Sequence, residues 1–239
     1  MNREYHRWYS PSLQRDMELL VFGHAGARVV AFPTSQGRFY QFEDTGMVGA
    51  IGDQIEKGWL QLYCVDSVDS ESWYARHIPP SARGWRQTQY NHYLVNEVLP
   101  FSMQKNSNTF LISVGASFGA YHAVNFAFVY PHLVKRVIGM SGLYDILRFA
   151  DGYSDDNVYF NNPRAFISNE HDPARLQALR EQDIILAVGR DDSLCASSET
   201  LSSVLWQKGI GNALRIWDGW AHDWPWWQQM LQLYIGGHD

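Results

Sequence analysis

Apolar positions in this chain fall into short runs separated by turn residues. DMELLVF at 16–22, RVVAF at 28–32, WLQLYCV at 59–65, TFLISV at 109–114, LVKRVIGM at 133–140, DIILAV at 183–188 and ALRIW at 213–217 have the β-branched, near-continuous apolar composition of buried strands. Residues 3–9 read as a first edge strand closed by Ser10-Pro11-Ser12, and 28–32 as the strand returning from the glycine-bearing turn at 23–27, with His24 at its surface. Helical spacing separates the later strands. Residues 47–57 and 82–104 fit it, the second through Tyr90, Leu94 and Val98 with Tyr93 and Glu97 beside them. His92 reads as a surface or packing residue of that helix. Further helices are expected at 120–130 and 196–208, and a last one runs through 233 with Pro225 in its first turn, where a missing N–H costs nothing. Strands alternating with helices predict an α/β fold with a mostly parallel central sheet and helices on both faces. From 143 to 180 the apolar period loosens around Asp-Gly, Asn-Asn-Pro and His-Asp-Pro. That stretch is expected to form short helices capping the site, as an insertion in one domain spanning 1–239.

One junction carries chemistry. The run at 109–114 ends in Gly115-Ala116-Ser117-Phe118-Gly119, and an apolar helix follows. Strand, glycine turn and helix with a serine at the apex describe a nucleophile elbow. The glycines have a steric reason, since a Cβ two residues either side of a serine at so tight a turn would strike the neighbouring strand or helix. The helix N-terminus then favours an oxyanion beside the serine. His122, one turn into that helix, is expected to pack below the site.

A neutral serine needs a base, and the base needs an orienting group. DIILAV is followed by Gly189-Arg190-Asp191-Asp192, and ALRIW by Asp218-Gly219-Trp220-Ala221-His222. Both loops lie at carboxyl ends of strands, and serine, acid, histidine is the chain order of α/β-hydrolases. His222 is the candidate base and Asp192 the favoured acid, with Asp191 the alternative. Asp223 is set aside because adjacent residues rarely orient each other's rings. Of the two oxyanion donors required, one is expected from the Phe118 N–H and the other from the loop at 33–37, with Ser35 the residue chosen.

Composition narrows the classes. The chain has 239 residues, 46% of them hydrophobic, and a net charge of −6 that argues against a nucleic-acid surface. The charged N-terminus resembles no signal peptide and no apolar run is long enough to span a membrane. Cys64 and Cys195 are far apart with no metal-ligand spacing, so a reduced, cytoplasmic setting is the expectation. No phosphate- or dinucleotide-binding glycine motif is present, and no metal or organic cofactor is expected. The aromatic stretches 38–42 and 217–227 read as packing for the last helix, or else as an aryl or sugar site.

GASFGA at 115–120, the strand-G-x-x-D arrangement ending in Asp192, G-x-x-H-D-W at 219–224 and NHYLVNEVLPF at 91–101 together give a resemblance. Over nearly its whole length the chain resembles the Putative esterase family of α/β-hydrolases, which includes S-formylglutathione hydrolases, enterochelin-type and feruloyl esterases and the antigen 85 mycolyltransferases. The resemblance implies the α/β-hydrolase fold, carboxylic-ester hydrolysis through Ser117, Asp192 in preference to Asp191, and the second oxyanion donor at Ser35. It departs from the family at Ala120, where a further glycine is usual, at Ala221 before the histidine, and at Phe32-Pro33-Thr34-Ser35 in place of a His-Gly or Asp-Gly loop. The expected activity is hydrolysis of a small-molecule ester. The alternatives are acyl transfer to a sugar or lipid alcohol by the same residues, or a non-catalytic binding protein on this fold.

Overall fold

The β-branched runs pair into one eight-stranded sheet in the computed structural model, which describes residues 1–237. The strands are β1 (Arg3–Ser10), β2 (Arg15–Phe22), β3 (Ala27–Phe32), β4 (Leu60–Val65), β5 (Leu111–Ala116), β6 (Arg136–Met140), β7 (Asp183–Gly189) and β8 (Ala213–Trp217). Their order is β1-β2-β4-β3-β5-β6-β7-β8. The β1–β2 and β2–β4 pairs are antiparallel and all others parallel. Every residue of β4 and β5 is buried, as a strand covered on both faces requires, whereas β1 alternates exposed and half-buried positions at the sheet edge.

Side-chain alternation divides the core into two layers. Val30, Phe32, Leu111, Ile184 and Leu186 point into one layer, Val29, Ala31, Ile112, Val114, Ile185 and Ala187 into the other. The second layer is closed by α1 (Gln41–Asp44), α2 (Met47–Ala50) and α3 (Gly52–Glu56) together with the C-terminal helix. The expected single helix at 47–57 is broken at Ile51 (φ −113°, ψ 22°), between two poor helix formers, Gly49 and Gly52. The first layer packs α4 (Pro80–Tyr93) and α5 (Leu99–Lys105) with α6 (Phe118–Val129). Between α4 and α5 a π-helical stretch, Leu94–Val98, interrupts the one long helix expected there. Pro100 has no N–H to return to the preceding turn, which accounts for the local widening. Glu97 in this stretch accepts hydrogen bonds from Trp8 Nε1 (2.8 Å), Ser10 Oγ (2.8 Å) and the Ser12 N–H (3.1 Å), fixing the edge strand.

Residues 143–180 contain a 3₁₀ turn at Leu147–Phe149 and three short helices, α7 (Asp156–Tyr159), α8 (Pro163–Ser168) and α9 (Pro173–Arg180). Three of the Asp and Asn residues that loosen the pattern there are N-caps. Asp155, Asn162 and Asp172 accept hydrogen bonds from the N–H groups of Val158, Ala165 and Arg175, and prolines open α8 and α9. The chain closes with α10 (Cys195–Gln207) and α11 (Trp224–Tyr234). Among the described residues no helix is long and apolar enough to cross a membrane.

Candidate active site

The turn after β5 is as tight as its glycines suggest. A Cβ on Gly115 would fall on the Gly119 carbonyl, and one on Gly119 would lie 2.5 Å from the Pro33 oxygen and 2.6 Å from that of Phe32. The first turn of α6 therefore rises directly off β5 and presses on the end of β3. Ser117 stands between them at φ 55°, ψ −121°, a conformation that costs a non-glycine residue on the order of 1–3 kcal/mol. Its surroundings enforce that geometry. The Ser117 N–H donates to the Met140 carbonyl of β6 (2.8 Å), and the Ala120 N–H donates to the Ser117 carbonyl (3.1 Å). Helix α6 is buried from Phe118 to Phe128, so packing on all sides anchors the turn. Gly119→Ala is expected to lower stability by about 1–3 kcal/mol, because both clashing atoms are backbone. Chemical denaturation checks this, and an unchanged midpoint would show that the β3 loop yields freely.

The acid and the histidine meet. His222 Nδ1 lies 2.8 Å from Asp192 Oδ2. Asp192 Oδ1 accepts from the Leu194 N–H at 2.9 Å, and the residue is buried. A carboxylate at Nδ1 fixes the tautomer with the proton on that nitrogen and leaves Nε2 as the accepting atom. Burial pushes the Asp192 carboxyl up. Hydrogen bonds from His222 and the Leu194 N–H, the charge of His222 and the Ser141 hydroxyl outweigh it, so the group titrates below the usual aspartate range. Asp191 is exposed, and its N–H donates to the Gly219 carbonyl (2.9 Å), tying the β7 loop to the β8 loop. His222 is therefore paired with Asp192 and not with Asp191. Asp223 has a structural task, accepting from the Trp224 N–H as the cap of α11.

The imidazole of His222 is held between Trp227 (5.0 Å between ring centroids) and Trp220 (5.5 Å). Trp227 is buried in the core and donates through Nε1 to Ser141 Oγ (3.1 Å), whereas Trp220 is 56% exposed. The tryptophan-rich stretch thus divides, part packing α11 and part lying open beside His222. Ser141, at φ 52° past the end of β6, links Trp227 to Asp192. A lone Ser-Gly pair after a strand gives no sign of this in the sequence.

The β3 loop has most of its N–H groups committed. Thr34 donates to Gln41 Oε1 (2.8 Å), Gln36 to Asp69 Oδ2 (2.8 Å) and Gly37 to the Thr34 carbonyl (2.8 Å). The Ser35 N–H has no acceptor among the described residues, and the Phe118 N–H, first in α6, has no partner within its helix. The Ser35 hydroxyl accepts from Tyr74 Oη at 2.8 Å. Tyr74, Phe118 and Phe149 pack around one another at 5.2 Å between each pair of ring centroids, forming an aromatic wall next to this loop. Ser117 Oγ and His222 share no hydrogen bond among the described residues. His122, behind the elbow, is buried and hydrogen-bonded to Asp69, a pairing across 53 residues that sequence spacing does not reveal. Among the described residues no group of three or more His, Cys, Asp or Glu side chains is placed to hold a metal ion.

A mostly parallel sheet flanked by helices, with a strained serine after a central strand and an Asp–His pair on two later post-strand loops, defines the α/β-hydrolase class. The chain belongs to the family described as "Putative esterase", whose model matches residues 63–233, and is a carboxylesterase-type hydrolase. No curated protein matches the sequence significantly. Solved structures share the fold across almost the full length. A ferulic acid esterase is 16% identical with a TM-score of 0.75, the match covering 97% of this chain and 95% of that one. The S-formylglutathione hydrolase FrmB of Staphylococcus aureus is 14% identical with a TM-score of 0.70, covering 98% and 97%. MPT51 of Mycobacterium tuberculosis is 15% identical with a TM-score of 0.70, covering 99% and 97%.

Proposed function

We propose that this protein cleaves carboxylic esters through an acyl-enzyme formed on Ser117. The observation that carries the proposal is the 2.8 Å Asp192–His222 pair, set at the same sheet edge as a serine in a strained elbow. In this reading Ser117 Oγ attacks the ester carbonyl while His222 Nε2 takes its proton. Asp192 keeps the ring in the productive tautomer and stabilises the imidazolium. The N–H groups of Phe118 and Ser35 receive the oxyanion, which commitment of the flanking Thr34 and Gln36 N–H groups leaves open to them. Collapse of the tetrahedral intermediate expels the alcohol, protonated by His222. Water then repeats the sequence on the acyl-enzyme and restores Ser117. Segment 143–180, joined to α4 through Arg83 and Asp151 (2.7 Å), governs in this reading which acyl and alcohol groups enter.

A fluorophosphonate probe is expected to modify the protein at one site, mapped by mass spectrometry to Ser117. Turnover should appear in an ester panel that includes aryl esters, given the wall of Tyr74, Phe118 and Phe149. Neither labelling nor turnover in the folded protein would overturn the reading.

A further inference from the structure

The elbow is backed by a second Asp–His pair that the ester-cleavage scheme does not use. Asp69, in the 3₁₀ turn Asp69–Glu71 after β4, and His122, on α6, are both essentially without solvent exposure. His122 Nε2 lies 2.7 Å from Asp69 Oδ1, and its Nδ1 faces Gln87 Nε2 at 3.4 Å. The second Asp69 oxygen, Oδ2, accepts the backbone N–H of Gln36 at 2.8 Å. Gln36 has φ 55°, a conformation a non-glycine residue keeps only when its surroundings enforce it, and it directly follows Ser35. The ring of His122 meanwhile packs against Phe118, the other residue offered as an oxyanion donor (5.2 Å between centroids), and stacks on Phe32 at the end of β3 (6.0 Å). One buried pair thus touches both halves of the oxyanion site. It reaches the Ser35 side by a charge-assisted hydrogen bond and the Phe118 side by ring packing.

We infer that Asp69 and His122 are positioning residues for the oxyanion site, Asp69 holding the Gln36 amide so that the adjacent Ser35 N–H faces the reacting carbonyl, and His122 holding Asp69 against the start of α6. A buried carboxylate fixed at both oxygens is a rigid strut, whereas the loop it holds is exposed at Ser35 and Gln36 and would drift without it. Oxyanion donors work only when preorganised at the position where charge develops, so a displacement of the loop weakens transition-state binding and leaves substrate binding largely intact.

This inference rests on the esterase reading, and its test separates the two. Steady-state turnover of 4-nitrophenyl acetate is measured together with inhibition by an aryl trifluoromethyl ketone, whose addition to a serine creates an oxyanion. Asp69→Ala is expected to lower kcat about ten- to a hundredfold with KM within about threefold, the loss a misplaced catalytic group produces. Affinity for the ketone should fall by the same factor as kcat/KM. Asp69→Asn is expected to retain kcat/KM within about threefold. Its Oδ1 still accepts the Gln36 N–H, and its Nδ2 can donate to His122 after the ring changes tautomer toward Gln87, whose buried Oε1 has no partner. Should Asp69→Ala fail to fold, His122→Phe keeps the stacked ring but leaves Asp69 Oδ1 without its donor. It should then lower kcat/KM and ketone affinity in parallel by about threefold or more. Wild-type turnover with unchanged kcat/KM in Asp69→Ala or His122→Phe, a kcat loss without a matching loss of ketone affinity, or no rescue by Asn overturns the inference alone. A folded wild type that turns over no ester overturns the esterase reading and this inference with it.

Discussion

Ser117→Ala is expected to reduce ester turnover by about 10⁴-fold or more while leaving the fold intact. The substitution removes only Oγ, and no described hydrogen bond depends on that atom. The contacts that set the turn are the Ser117 N–H on the Met140 carbonyl and the Ala120 N–H on the Ser117 carbonyl, and both are backbone. Alanine meets the same penalty at φ 55° as serine, so the thermal midpoint should remain near that of the wild type. Residual activity would come from oxyanion donors acting on water attack. The check is a turnover assay beside a denaturation curve, with loss of fluorophosphonate labelling as a third readout. Activity retained within tenfold would mean that another nucleophile performs the reaction.

Asp192→Asn is expected to cost about 10³–10⁴ in kcat, again with the fold retained. The amide is nearly isosteric with the carboxylate but can turn a donor toward His222 Nδ1. That favours the tautomer with its proton on Nε2, where a base is needed, and it removes the charge that stabilises the imidazolium. The same group makes stability depend on pH. Its carboxyl titrates below the ordinary aspartate value in the folded protein, so the ionised form is favoured by folding. This contribution is complete above the unfolded-state value, about 3.9, and is lost as pH falls toward and through the lower folded-state value. Urea denaturation at several pH values should therefore show wild type more stable than Asp192→Asn near neutrality, with the gap narrowing below pH 4. A gap constant across that range would contradict the assignment of a depressed titration to Asp192.

How far the sequence reached depends on whether a feature is local. The strands were legible because a strand buried on both faces must be largely apolar, and β3, β4, β5 and β7 are, apart from single polar residues such as Arg28, Gln61 and Ser113. The elbow was legible because its demands are met within five residues, and the Cβ positions at Gly115 and Gly119 confirm the steric reason given for them. The break at Ile51 and the π-helical stretch before Pro100 escaped the periodic pattern. A one-residue change in helical winding leaves the spacing of Tyr90, Leu94 and Val98 almost unaltered. The looser stretch at 143–180 was legible as short helices, but Asp155, Asn162 and Asp172 took meaning as caps only in the structure.

The choice between Asp191 and Asp192 marks the boundary of local reasoning. Both follow the same strand, and only the turn at Gly189 decides which carboxylate faces His222 and which faces solvent. Asp69, His122 and Ser141 lie beyond that boundary. Each is an ordinary residue in its own segment and acquires partners only when β3, β4, β6, α6 and α11 come together. The sequence by itself determined the alternating strand–helix order, the strained serine turn and the chain order of serine, acid and histidine. Those follow from hydrophobic periodicity and from steric limits on neighbouring residues. Tertiary structure alone decided which acid meets the histidine, which N–H groups of the 33–37 loop stay uncommitted, and what buried pair supports them. Hydrogen bonds between side chains far apart in sequence leave no periodic trace along the chain.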